Sequence, residues 1–243
     1  MEHQTYKRIV PDAQSAILFV HGILGTPKHF RDLTDLVPEG ISVCNLLLDG
    51  HGKGVREFSK TSMIKWETQV EAAVDELAQT HAEICIVAHS MGTLFAIEQA
   101  IKNEKVKKLF LLAAPLKLSL KPRMVVNVTK VYFNRVNPDN PVEVAARECC
   151  GVTQSKNLFS YLGWIPRYLE LFAKIRQTGK HLPLLHTPCL AFQSEQDELV
   201  SVKSAAILET NPAVTVHRLE NSSHYYYEPS DYAQILTTFQ NWI

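Results

Sequence analysis

The stretch Val87-Ala88-His89-Ser90-Met91-Gly92 decides how this chain is read. An apolar, β-rich run, Ile84-Cys85-Ile86-Val87, leads into it, and a helix-like run from Thr93 to Ala100 leaves it. A serine between strand and helix, with small residues two before and two after, is the context of a G-x-S-x-G turn. Ala88 and Gly92 are those small residues. The turn is sharp, so it lifts the Ser90 hydroxyl clear of the sheet. It also leaves the Met91 N–H, at the helix start, facing whatever that hydroxyl attacks. The same residues fit an ordinary small-residue turn with an exposed serine, so the rest of the chain has to discriminate.

Working outward, apolar runs alternate with helical patterns. Tyr6–Val10 reads as a short strand stopped by Pro11-Asp12, and Ser15–Val20 is continuously apolar, as a strand covered on both faces should be. Helical sequence runs from Pro27 to about Val37, followed by a strand over 41–48 and a glycine-broken loop through Val55. An amphipathic helix over 62–79 precedes the central strand–turn–helix, and Val106–Leu112 is the next strand. After a long interruption, strand 188–193, helix 202–209, strand 214–219 and helix 231–242 resume the pattern. Alternation of this kind specifies an α/β fold with a mostly parallel, doubly wound sheet. The interruption, residues 116–183, repeats its apolar residues at helical spacing and is expected to be a helical cap inserted into a single domain spanning 1–243. Its aromatic residues Phe159, Tyr161, Trp164, Tyr168 and Phe172 fit a core stripe, or the lining of an apolar pocket over Ser90.

Composition narrows the function. The chain is 46% hydrophobic and 21% charged, ordinary for a globular protein with a full core. Lys+Arg and Asp+Glu are both 25, so the net charge recruits neither nucleic acid nor an anionic membrane. A neutral small-molecule partner fits better, and the number of subunits is left open. The opening residues have no apolar signal-peptide core, and the longest apolar stretch, Leu109–Leu116, is far short of the roughly 20 residues that cross a bilayer. Stable membrane insertion is therefore not expected. Five cysteines, an odd number, fit a reduced, cytoplasmic protein.

In a doubly wound sheet, ligands gather at the carboxyl ends of the strands, so the residues just past each strand carry the chemistry. His21-Gly22-Ile23-Leu24-Gly25 follows the first buried strand, and its two glycines permit a tight turn with free N–H groups. The Ile23 N–H is the candidate oxyanion donor beside that of Met91. Ser194-Glu195-Gln196-Asp197-Glu198-Leu199-Val200 follows strand 188–193 and offers three carboxylates. Asp197, just upstream of a Leu-Val pair able to anchor the loop, is the first choice for the orienting acid, with Glu195 its rival. Of ten histidines, only His224 follows a late strand on a polar loop, making it the candidate base. Gly50-His51-Gly52-Lys53-Gly54 lacks phosphate-loop spacing and no helix is expected directly after it. His51 could stand near the site rim, and His29 and His89 are expected to pack or face solvent. The run Tyr225–Tyr227 suits packing around the histidine loop, since no basic groove accompanies it. No metal-ligand spacing occurs, and neither metal nor cofactor is implied.

The order Ser90, Asp197, His224, together with His21-Gly22-Ile23, Asp49-Gly50-His51-Gly52, Ala88-His89-Ser90-Met91-Gly92 and Asp197-Glu198-Leu199-Val200, resembles the α/β-hydrolase superfamily. More narrowly it is similar to bacterial carboxylesterases and monoacylglycerol lipase-like serine hydrolases. The resemblance covers nearly the whole chain and is poor in motifs between 116 and 183. It implies an α/β-hydrolase fold with Ser90 as nucleophile, His224 as general base and acid, Asp197 as orienting carboxylate, and Ile23 and Met91 as oxyanion donors. The implied substrate is a small apolar ester, of short or medium acyl chain or monoacylglycerol-like. Two residues depart from the pattern: Ala88 stands for the first glycine of the turn, and Ser194 for a glycine before the acid loop. A thioesterase, an amidase, a C–C bond hydrolase or a non-catalytic ligand-binding relative would share the same fold. Serine at the turn argues against a dehalogenase, in which the resembling family places aspartate.

Overall fold

In the computed structural model, which describes residues 3–119 and 121–243, the apolar runs form one seven-stranded sheet. Met1, Glu2 and Leu120, which fall within the expected domain span, lie outside the described residues. In chain order the strands are β1 (Tyr6–Arg8), β2 (Ser15–Val20), β3 (Ser42–Leu46), β4 (Glu83–His89), β5 (Val106–Leu112), β6 (Cys189–Ser194) and β7 (Val214–Leu219). The first helices are α1 (Arg31–Asp35), α2 (Val55–Ser59), α3 (Met63–Thr80) and α4 (Met91–Lys102). Then come α5 (Pro122–Tyr132), α6 (Pro141–Glu148), α7 (Ile165–His181), α8 (Lys203–Leu208) and α9 (Pro229–Trp242). The strand order is β1-β3-β2-β4-β5-β6-β7, with β1 antiparallel to β3 and the other pairs parallel.

The continuous apolar character of β2 and β4 follows from burial on both faces. Along β2, Ala16, Leu18 and Val20 point into one core while Ile17 and Phe19 point into the other. β4 divides likewise, Ile84, Ile86 and Ala88 against Cys85 and Val87. The first core is closed by α3 and α4, the second by α1 and α9 with Phe30, Phe239 and Trp242. On α3 the stripe Met63, Trp66, Val70, Ala73, Val74 and Leu77 follows helical spacing, and the Ser62 hydroxyl caps its start by accepting from the Lys65 N–H at 3.2 Å.

Every residue of α4 from Met91 to Ala100 is buried, so this helix lies deep against the sheet. Gly92 permits that approach: a Cβ there would sit 2.2 Å from the Val20 carbonyl oxygen. Such a contact involves rigid backbone and could not be relieved by a rotamer change.

Between β5 and β6 the chain runs through α5, α6, a 3₁₀ turn over Leu158–Trp164, and α7, and among the described residues it adds no strand to the sheet. α7 is fastened to α4 and α3 by a polar cluster centred on buried Glu98. Glu98 accepts from the Thr178 hydroxyl at 2.8 Å and pairs with His181 at 3.0 Å, and Lys174 bonds Glu67 at 2.8 Å. By contrast, α5 has no fully buried residue.

The structure departs from the sequence expectation directly after the glycine-rich loop. Gly54 is followed at once by α2, which buries Val55 and Phe58. Five residues are too few to show a helical period, which is why the segment reads as loop. Helix 27–37 divides into a 3₁₀ turn over Pro27–Phe30 followed by α1.

Candidate active site

Ser90 is the junction of β4 and α4, at the carboxyl end of the central strand. Its backbone has φ 50° and ψ −123°, a conformation that L-residues avoid and that the surroundings must enforce. The enforcement is visible: the Ser90 N–H donates to Leu112 O at 2.9 Å, and the Ser90 carbonyl accepts from both the backbone and the hydroxyl of Thr93. The side chain is thereby aimed out of the turn, where His224 Nε2 lies 3.1 Å from Ser90 Oγ.

His224 sits on the loop between β7 and α9. The Ser222 hydroxyl and the Asn221 N–H both donate to Asp231 of α9, at 2.6 and 3.1 Å, and so pin that loop. His224 Nδ1 is 2.7 Å from Asp197 Oδ2. Asp197 is poised for this contact because its other oxygen, Oδ1, already accepts from the Leu199 and Val200 N–H groups at 2.7 and 2.8 Å. Only Oδ2 is left, and it receives the Nδ1–H of the imidazole. That assignment leaves Nε2 unprotonated towards Ser90. Glu195 is exposed and makes no contact with His224. Ser90, Asp197 and His224 are all buried.

Two further residues fix the backbone of His224: His89, expected only to pack or face solvent, and Glu198, one of the three loop acids. His89 Nε2 donates to the His224 carbonyl at 3.0 Å, and Glu198 Oε2 accepts from the His224 N–H at 3.2 Å. Burial holds the His89 imidazole well below its ordinary pKa, so it is a neutral donor. For His224, burial is the largest single influence and disfavours the charged ring. The charge and hydrogen bond of Asp197, together with the charge of Glu198, outweigh it and hold the pKa above the ordinary 6.5.

The glycine loop after β2 lies directly against the serine: a Cβ on Gly22 would be 2.8 Å from Ser90 Cβ. Gly25 N–H donates to Gly22 O at 3.0 Å, closing a turn with Leu24 at φ 60°. The Leu24 N–H is taken by His51 Nε2 at 3.1 Å. No acceptor engages the Ile23 N–H or the Met91 N–H among the described residues. Two backbone N–H groups are thus left without an acceptor, one on the loop after β2 and one at the first residue of α4 directly after Ser90. Gly151, in the helical segment, closes the back of this loop through its N–H to Leu24 O at 2.6 Å, and its carbonyl accepts from Gly52.

His51 is therefore a buried support of the loop, and it is fully neutral: burial draws its pKa down to about 4. The unfolded chain binds a proton that the folded chain refuses between 6.5 and about 4. Stability contributed by this group is complete above pH 6.5 and falls as the pH drops through that window, by roughly 3 kcal/mol in full. Buried His21, His29 and His89 are held down in the same way, so urea unfolding at pH 7 and pH 4.5 is expected to show a large loss in wild type, and His51→Gln to reduce that loss by about the His51 share while leaving the rest.

Above Ser90 lies an apolar cavity of about 370 Å³. Tyr161, Trp164, Tyr168 and Phe172 line it, facing Ser90 and His224 from the helical segment, whereas Phe159 is 81% exposed and takes no part. The His29 and His89 rings pack against each other, tilted by 37° with centroids 3.9 Å apart, and Tyr225 stands edge-on to His224 with centroids 4.6 Å apart, so the aromatic loop does pack around the histidine. Among the described residues, no cluster of three metal-ligating side chains occurs.

Comparison with known proteins finds relatives that share the fold. The chain is 26% identical over 220 residues to a thermostable monoacylglycerol lipase of Bacillus sp. (strain H-257), covering 86% of this chain and 82% of that one. A metagenome-derived lipolytic enzyme superposes with a TM-score of 0.74 at 20% identity, over 99% of this chain and 97% of the other. A monoacylglycerol lipase of Paleococcus ferrophilus superposes with a TM-score of 0.68 at 19% identity, over 100% and 98%. The shared architecture is the α/β-hydrolase fold. The family model described as Hydrolase_4, serine aminopeptidase S33, matches residues 11–228, and the chain belongs to that family.

Proposed function

We propose that this protein is a serine hydrolase cleaving carboxylic esters with an apolar acyl group, of short or medium chain or monoacylglycerol-like, through an acyl-enzyme on Ser90. One observation carries the reading: the unbroken relay from Ser90 Oγ through His224 to Asp197, at 3.1 and 2.7 Å, on the floor of an apolar cavity. His224 Nε2 takes the hydroxyl proton as Ser90 Oγ bonds to the ester carbonyl carbon. The negative oxygen that forms is held by the N–H groups of Ile23 and Met91. As the tetrahedral adduct collapses, the alkoxide leaves with the proton from His224. Water then repeats the sequence at the acyl carbon and frees the acid. Asp197 keeps the proton on Nδ1 and stabilises the transient imidazolium. Residues 116–183 act as a cap over the acyl chain.

The family description speaks of peptides and the 26% relative of monoacylglycerols. The lining favours esters: Tyr161, Trp164, Tyr168 and Phe172 suit a hydrocarbon chain. The one carboxylate there, Glu198, already accepts from His224 and lies 3.9 Å from the Arg123 guanidinium, so it is partly engaged before any ammonium group arrives. The test is hydrolysis of p-nitrophenyl esters from acetate to palmitate beside aminoacyl p-nitroanilides. A short- to medium-chain ester optimum is expected. Anilide turnover in the absence of ester turnover would overturn the ester assignment.

Because the raised pKa of His224 governs the supply of neutral base, the acid limb of kcat/KM is expected to have its midpoint above pH 6.5. Glu198→Gln keeps an oxygen for the His224 N–H and removes one charge that raises the pKa. Its midpoint is expected to move to lower pH, which a pH–rate profile of both proteins will measure.

A further inference from the structure

Leu24, the neighbour of Ile23, has φ 60°, a left-handed conformation that a bulky side chain avoids. Strain of this kind persists only where the surroundings impose it. Both backbone polar groups of Leu24 are engaged, from opposite sides of the chain. Its N–H donates to His51 Nε2 at 3.1 Å, and its carbonyl accepts from the Gly151 N–H at 2.6 Å. His51 belongs to the loop after β3, whereas Gly151 lies between α6 and the 3₁₀ turn over Leu158–Trp164.

Gly151 is itself fixed. Its carbonyl accepts from the Gly52 N–H at 2.6 Å, the Thr153 N–H donates to Lys53 O at 2.8 Å, and residues 54 and 153 form a parallel bridge. At the other end of the same short stretch, Cys149 Sγ lies 3.6 Å from His29 Nδ1. Residues 149–153 are therefore pinned to both loops that support the serine. Glycine at 151 is required by closeness and not by conformation, since its own φ is not positive. A Cβ there would overlap the Thr26 methyl and stand 2.6 Å from the Gly25 carbonyl oxygen. Both atoms belong to the loop that carries Ile23, so a side chain at 151 pushes that loop relative to Ser90.

We propose that Gly151 is a positioning residue for the reaction. By holding the Leu24 carbonyl it keeps the strained loop turned so that the Ile23 N–H meets the oxyanion. Gly151 is absent from the lining of the cavity over Ser90, so it acts on substrate only through that loop. The proposal rests on the serine-hydrolase reading, in which Ile23 supplies one of the two donors. A donor misplaced by about 1 Å costs on the order of 10²-fold in rate. The loss falls on the transition state, where the negative oxygen exists, and spares substrate binding.

The test compares Gly151→Ala with wild type on p-nitrophenyl acetate and p-nitrophenyl butyrate, with active sites counted by complete labelling with a fluorophosphonate. For both esters, kcat per labelled site is expected to fall about 10²-fold, with KM within about twofold of wild type. A trifluoromethyl ketone, to which Ser90 adds to give a tetrahedral oxyanion, provides the second readout. Its Ki is expected to rise by the factor by which kcat/KM falls. A merely structural role would reduce the number of labelled sites and leave kcat per site unchanged, and that result would overturn the proposal. A loss confined to KM would overturn it too, by placing residue 151 in substrate binding. Should Gly151→Ala not fold, Thr153→Pro decides by the same measures. It deletes the N–H that bonds Lys53 O and lies outside the cavity lining. A smaller loss in kcat per site at unchanged KM is expected, and full kcat per site would count against the proposal. A wild type that turns over no ester would overturn the hydrolase reading and this role together. An active wild type beside an equally active Gly151→Ala overturns this role alone.

Discussion

Ser90→Ala is expected to lower kcat on p-nitrophenyl esters by about 10⁶-fold with KM little changed, because the residues of such a relay act as a unit and removal of the nucleophile forfeits their joint effect. What survives is the pair of N–H groups on Ile23 and Met91, which polarise the carbonyl for direct attack by water. The fold should be indifferent to the change. The Ser90 hydroxyl makes one contact, with His224 Nε2, while the strained backbone is held by Leu112 and Thr93. Equal urea midpoints for the two proteins, alongside the kinetic loss, would separate chemistry from stability. A variant retaining a tenth of the wild-type rate would place the reaction elsewhere.

Asp197→Asn is expected to lower kcat by about 10⁴-fold, and Glu195→Gln to leave it within about twofold. The difference follows from the acid loop. In the wild type Oδ1 accepts from the Leu199 and Val200 N–H groups, and Oδ2 accepts from His224 Nδ1. In the asparagine variant the amide oxygen stays with those two backbone donors, so the NH₂ group is turned towards Nδ1. Facing a donor, the imidazole adopts the other tautomer, with its proton on Nε2, and can no longer accept from Ser90. Glu195 is exposed and lies outside this chain of contacts. Steady-state kinetics of the two variants with one ester measures both effects, and a large loss in Glu195→Gln would reassign the acid.

The parts of this site that can be read from sequence are those whose local geometry restricts residue type. The turn at Ser90 admits only small residues at 88 and 92, and the contact of Gly92 with Val20 shows why: no side chain fits there. The Leu199-Val200 pair marks Asp197 because its backbone donors, two and three residues on, hold the carboxylate. What stays hidden depends on partners distant in the chain. Nothing around His89 indicates that it bonds the carbonyl of a residue 135 positions later, and nothing around Gly151 indicates that it closes the loop of Ile23. Glu198 stands in the sequence as one of three loop acids, and only folding brings it to the His224 N–H. The helical segment shows the same limit. Its periodicity gives helices but not which faces meet the serine, so Phe159 and Phe172 look alike in sequence and end on opposite sides of the cavity wall.

The order of the core was legible for a similar reason. Runs such as Ser15–Val20 are apolar on both faces because the strands they form are covered on both. α2 leaves no period in the sequence, since it buries only Val55 and Phe58.

The most direct measurement is rapid quenching of the protein during turnover of p-nitrophenyl butyrate, followed by mass mapping of the peptides. Ser90 acting as nucleophile predicts a butyryl group on the peptide containing that residue, together with a burst of p-nitrophenol. Steady turnover with no burst, and with the Ser90 peptide never acylated, would contradict it.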